Sequence, residues 1–168
     1  MGLRLLCCAV IFSCSAFIGL ELRRRLSVRL RSLQFFREYF RSMRSYISHF
    51  GMSLDDIANV LNKRENAFAF SDILREKTQH SCFPLAFTDT LYAEKNAMSL
   101  SDEDVSYIGS LVTSVGSSDI DGALEVLCSA DERLSELIET ARRKCESDGK
   151  LCVVLSLSCG AVAALLLL

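Results

Sequence analysis

Apolar side chains recur every three to four positions over most of the chain, a spacing that predicts helices throughout. Val105, Ile108, Leu111, Val112 and Val115 fall on one helical face, which must be buried. Ser101 with Asp104 predicts a capping box at the start of that helix, hydroxyl and carboxylate each accepting from a first-turn amide. Gly116 is expected to stop it in the left-handed conformation, which costs a glycine little. Ser118 with Asp121 should then cap a second helix carrying Ile120, Leu124, Leu127, Leu134, Ile138 and Ala141 on its apolar side. Upstream, Leu26, Leu30, Leu33, Phe36, Phe40, Met43, Ile47 and Phe50 predict one long helix ending at Gly51. Ser53 and Asp56 cap a shorter one with Leu54, Ile57, Ala58 and Leu61, and a less regular helical piece runs from Ser71 to about Gln79. The only proline, Pro84, suits the first turn of a helix reaching about Asn96, with Phe83, Phe87 and Leu91 inward. The expected fold is all-α, a bundle-like domain of six helices with its phenylalanines in the core.

Two stretches lack the polar half of this pattern. Leu5 to Leu20 and Leu151 to Leu168 carry no charge. Eighteen helical residues rise roughly 27 Å, close to the ~30 Å hydrocarbon core of a bilayer, so the second stretch reads as a membrane span. The expected organisation is an anchor over 1–21, a helical cytoplasmic domain over 22–150 and a transmembrane helix over 151–168. At sixteen residues, the first stretch is also compatible with a secretory signal, with Ser13, Ser15 and Ala16 near a cleavage site. The lone Arg4 ahead of it and its unbroken continuation favour an anchor. Cleavage would instead leave a secreted or membrane-tethered helical binding protein.

Charge then sets an orientation. Arg23, Arg24, Arg25, Arg29 and Arg31 follow the first apolar stretch, and Arg142, Arg143, Lys144 and Lys150 precede the second. By the positive-inside bias the middle of the protein is expected in the cytoplasm, with both termini across the membrane. Arg37, Arg41 and Arg44 are expected only to solvate the long helix. From Ser53 to Glu139 the sequence has seventeen acids against six bases, which argues against a nucleic-acid partner. Asp102, Glu103, Asp104, Asp119 and Asp121 are the candidate docking face for a basic protein, farthest from the basic flanks.

Chemical motifs are weak. Of eight cysteines, Cys7, Cys8, Cys14, Cys152 and Cys159 sit in the apolar stretches as small fillers. Cys82, Cys128 and Cys145 have no CxxC spacing and leave an odd count, so a reducing compartment fits. Asp119-Ile120-Asp121-Gly122 fails as a calcium loop: with Gly122 sixth, the twelfth position is Cys128 where a glutamate is needed. Gly109, Gly116 and Gly122 are too widely spaced to cradle a phosphate. His49 and His80 lack partners for a metal or a triad. No metal, cofactor or small-molecule substrate is expected. A membrane-bound enzyme using Cys82 or Cys128 would need a depressed thiol pKa.

Together these motifs resemble the stage III sporulation protein AB family nearly from end to end. LRLLCCAVIFSCSAFIGLELRRRLSVRLRSLQFF is similar to its anchor, glycine and basic helix with an R-x-x-L element. FGMSLDDIANVL matches its tyrosine-glycine-x-x-proline-leucine segment, with Phe50, Ser53 and Leu54 for the aromatic, proline and leucine. Val115 to Asp119 resembles its leucine-glycine-x-x-aspartate signature, and Cys159-Gly160 falls where its last helix has paired glycines. Val112 replaces a glycine, Ala123 a glutamine and Phe87 a tryptophan.

The resemblance implies a place in the assembly that spans the two membranes between mother cell and forespore. It further implies a domain like the cytoplasmic one of type II secretion platform proteins. The implied protein is a non-enzymatic scaffold in the mother-cell membrane around the forespore, its soluble domain cytoplasmic. Its implied partners are the membrane, the other proteins of the channel complex and a secretion-type ATPase of the same operon.

Overall fold

The computed structural model describes the chain backbone except at residues 1, 62–69 and 168, and the side chains except also at 2–9, 11–12, 58–59, 150, 152–153, 157, 160–161 and 163–167. The described residues form six helices and no strand: α1 (Gly2–Phe50), α2 (Leu54–Leu61), α3 (Phe70–Thr78), α4 (Phe83–Glu94), α5 (Asp102–Ser117) and α6 (Ile120–Leu167). The chain divides into two compact units, one of residues 1–30 with 139–168, the other of residues 31–138.

In the unit of residues 31–138, α4 packs against α2, α3 and α5. Leu33, Phe36, Phe40, Met43 and Ile47 repeat at three- and four-residue intervals on α1, and all are buried. Val105, Ile108, Leu111, Val112 and Val115 do the same on α5, as do Ala123, Leu127, Ala130 and Leu134 on α6. Phe87 is fully enclosed, with the rings of Phe36, Phe70 and Phe83 set edge-on around it. The phenol of Tyr39 is buried beside this cluster, and its oxygen meets no hydrogen-bond partner among the described residues. Burial pushes its ionisation well above the ordinary tyrosine range.

The helix ends follow local chemistry. Gly51, at φ +57°, closes α1 and its amide donates to the Ile47 carbonyl 3.1 Å away, the arrangement expected of a left-handed cap. Ser53 starts α2, its hydroxyl accepting from the Asp56 amide at 3.3 Å and donating to the Asp56 carboxylate at 2.6 Å. Pro84 lies in the first turn of α4 as expected. Beyond α4 the Ser99 amide donates to the Asn96 carbonyl and the Leu100 amide to the Lys95 carbonyl, with Ser99 at φ +52°. That pair of bonds is a Schellman closure built on a serine. The buried Ser32 hydroxyl donates to the Met98 carbonyl at 2.9 Å, fastening α1 to this turn. Ser101 then caps α5 with Asp104 in the predicted capping box.

Two predicted ends differ. Gly116 does not stop α5, which continues through it to Ser117. Its missing side chain serves a close approach: a Cβ there would stand 2.7 Å from Cγ of Pro84 on α4. The start of α6 is capped by Asp119, whose carboxylate accepts from the Gly122 amide at 3.1 Å. Ser118 instead donates its hydroxyl back to the Ser114 carbonyl, so the expected pairing of Ser118 with Asp121 is not formed.

Arg37 and Arg41 of α1 do more than solvate it. Arg37 Nε lies 2.7 Å and Arg41 Nε 2.9 Å from Oδ1 of Asp131, which joins α1 to α6 by a half-buried clasp.

In the unit of residues 1–30 and 139–168, stretches of α1 and α6 pair through small side chains. The Ser15 hydroxyl donates to the Ser156 carbonyl, Ser27 Oγ lies 3.4 Å from Cys145 Sγ, and Gly149 is buried near Arg23. Large apolar groups point the other way: Phe17, Ile18, Leu20, Leu151, Val154, Leu155 and Val162 are all exposed. Among the described residues no helix is long and apolar enough to cross a membrane. Ser27→Cys is expected to bridge to Cys145 on mild oxidation, protecting one thiol pair from alkylation in the intact mass. Equal alkylation before and after oxidation would show that these helices do not pair in this register.

Candidate functional site

Asp102, Glu103 and Asp104 begin α5, whereas Asp119 and Asp121 follow its end. Sixteen helical residues rise about 24 Å, so the five acids form two groups at opposite ends of the unit rather than one face. The Asp102 end adjoins the turn fastened to Ser32, near the place where α1 enters the unit. The Asp119 end is the distal one of this unit, measured along α5 from that turn. Asp104 is buried, its carboxylate accepting from the Ser101 amide at 3.0 Å, which removes it from any docking surface. Asp102 is exposed and paired with Lys95.

At the distal end the close of α1, the start of α2, the close of α5 and the start of α6 meet around an open cleft of about 160 Å³. Ile47, Met52, Leu54, Val115, Ile120 and Ala123 give it apolar walls, and Ser53, Ser118 and Asp119 form its polar edge. Two large apolar groups stand out into solvent here: Phe50 is 70 % and Ile120 60 % exposed. Periodicity had placed Ile120 in the core, but it is the first residue of α6 and projects past the bundle.

The residues 46–56 and 115–125 that build this end carry Asp55, Asp56, Asp119, Asp121 and Glu125, with His49 and no lysine or arginine. Asp56 and Asp119 are engaged as caps. Asp55 and Asp121 are exposed, and no hydrogen bond or ion pair holds their side chains among the described residues.

A second open cleft, of about 410 Å³, lies between α3 and α4 and is lined by Glu76, Lys77, His80 and Asp89 among others. Its charges are mixed. Among the described residues no group of three or more His, Cys, Asp or Glu could hold a metal ion. Cys82 and Cys128 are exposed thiols.

Of the basic residues expected to flank the membrane, all but Arg31 fall in the unit of residues 1–30 and 139–168. Arg24 and Arg25 pair with Glu21, Arg143 with Glu139 and Arg142 with Glu146, all at the surface. Arg23 and Lys144 are exposed and Arg29 is half-buried. Arg31 is exposed on the unit of residues 31–138, and the Lys150 side chain lies outside the described residues.

Sequence reasoning missed Phe50, Ile120, Met52 and Asp55. The one available signal was two helix starts, Ser53-Leu54-Asp55-Asp56 and Asp119-Ile120-Asp121, each placing acids beside an apolar residue. A family model described as stage III sporulation protein AB matches residues 4–168. No curated protein and no solved structure matches the chain.

Proposed function

The chain belongs to the stage III sporulation protein AB family, and from that we propose a non-enzymatic membrane platform. It would link a cytoplasmic secretion-type ATPase to the sporulation channel. Membership supports a role in sporulation; the platform reading goes further and rests on how the side chains are distributed. The observation that carries it is the inverted polarity of the paired helices, with Ser15 and Ser156 bonded to each other while Phe17, Ile18, Leu20, Leu151, Val154 and Leu155 face outward. An exposed apolar surface of that extent needs a covering, and a bilayer supplies one. Exposed Arg23, Arg24, Arg25, Arg142, Arg143 and Lys144 flank it where anionic headgroups would lie, each worth on the order of 1 kcal/mol. The unit of residues 31–138 would then lie in the mother-cell cytoplasm, available to the ATPase.

The exposed thiols test this arrangement. In intact sporulating cells a membrane-impermeant maleimide should leave Cys82 and Cys128 unlabelled, and lysis should expose both. The chain should sediment with membranes and carry an ATPase with it after mild detergent extraction. Labelling from outside, or recovery of the chain in the soluble fraction, would overturn the platform.

A further inference from the structure

Three features come from the stretches that build the distal cleft: its apolar walls, the exposed side chains of Phe50 and Ile120, and a surplus of acids over residues 46–56 and 115–125. A space of this size takes a guest the size of a benzene ring. Its walls are aliphatic, and both Ile120, which lines it, and Phe50, two residues before the lining Met52, would lose their water only when something covers them. The charge of these stretches chooses among the candidates. Five acids and no lysine or arginine in the two stretches that build this end repel an acidic or anionic surface, including a second copy's own distal end. We propose that this end is the docking site for a basic segment of a partner protein. One leucine, isoleucine, methionine or phenylalanine of that segment enters the cleft, and lysines or arginines on either side meet Asp55 and Asp121.

The inference rests on the platform reading and gives that platform a place and a partner chemistry. Asp55 and Asp121 are the residues to change, because Asp56 and Asp119 also hold helix starts. In the full-length chain in sporulating cells, a photoreactive benzoylphenylalanine would replace Phe50, or in separate strains Leu85 or Tyr92, exposed on α4. Adducts would be mapped by peptide mass spectrometry. The Phe50 position is expected to join a segment in which basic residues flank an apolar one. The pair Asp55→Lys with Asp121→Lys should cut that adduct at least five-fold, and the pair Asp55→Asn with Asp121→Asn by less, with circular dichroism unchanged in all. An adduct on a second copy, on lipid or on an acidic or neutral segment would overturn the proposal, as would a yield indifferent to both charge changes. Adducts to a channel protein from Leu85 or Tyr92 but not from Phe50 would refute this docking place and leave the platform standing. No protein adduct from any position would remove both.

Discussion

Phe87→Ala is expected to cost about 3–5 kcal/mol, a large part of the roughly 5–15 kcal/mol by which a domain is usually stable. Phe87 is fully buried, and five ring centroids lie between 5.1 and 6.2 Å from its own, contributed by Phe70, Phe83, Tyr39, Phe36 and Phe40. These rings come from α1, α3 and α4, so the void left by truncation opens where three elements meet and cannot close by moving one of them. Denaturant titration of the purified chain, followed by near-ultraviolet circular dichroism, should show a midpoint far below that of the parent. A midpoint displaced by less than about 1 kcal/mol would mean that the cluster repacks and does not organise the core.

Gly116→Val is expected to cost about 2–3 kcal/mol, for a reason the local sequence does not contain. The first added carbon would already lie 2.7 Å from Pro84 Cγ, and a proline ring cannot turn aside as a flexible side chain would. Valine adds two methyl groups to that collision. Alanine is milder, because its better helix propensity, worth about 1 kcal/mol, offsets part of the clash. The mechanism separates from a strained turn by a double-mutant cycle. If crowding is the cause, Pro84→Ala should restore a substantial part of the stability lost in Gly116→Val. Purely additive effects would place the strain in the backbone at Gly116 instead.

Much of the helical layout was legible because its determinants are local. Ser101 with Asp104, Ser53 with Asp56, and Gly51 after a run of periodic apolar residues each satisfy amides or carbonyls within a turn of themselves. Gly116 misled because a glycine at the end of an apolar stripe looks like a cap, and what needs the glycine is a proline thirty-two positions earlier. Asp131 and its two arginines were unreadable for the same reason: a carboxylate on α6 and guanidinium groups on α1 share no local pattern. The candidate site was half legible. Charge alone marked Asp119 and Asp121, but adjacency in sequence joined them to Asp102 and Glu103, which α5 carries to its other end. The apolar part of the site escaped because Phe50 and Ile120 fit their helical stripes, and only the places where α1 ends and α6 begins leave them uncovered.

The clasp on Asp131 bears on which signals this fold can register. The hydrogen bond from Arg37 has the largest effect on its carboxyl; burial opposes it and the bond from Arg41 adds to it, the net result lying below the ordinary carboxylate range. A depressed folded-state pKa gives stability that is present above the unfolded value, near 4, and is lost only as pH falls through the folded one. Acidification within the range that living cells tolerate therefore leaves Asp131 ionised and α1 held to α6. The half-buried position of Arg37 and Asp131 also shelters the pair from salt more than a surface ion pair would be. α1 and α6 are in this respect a fixed frame: a physiological change in acidity has no purchase on their junction.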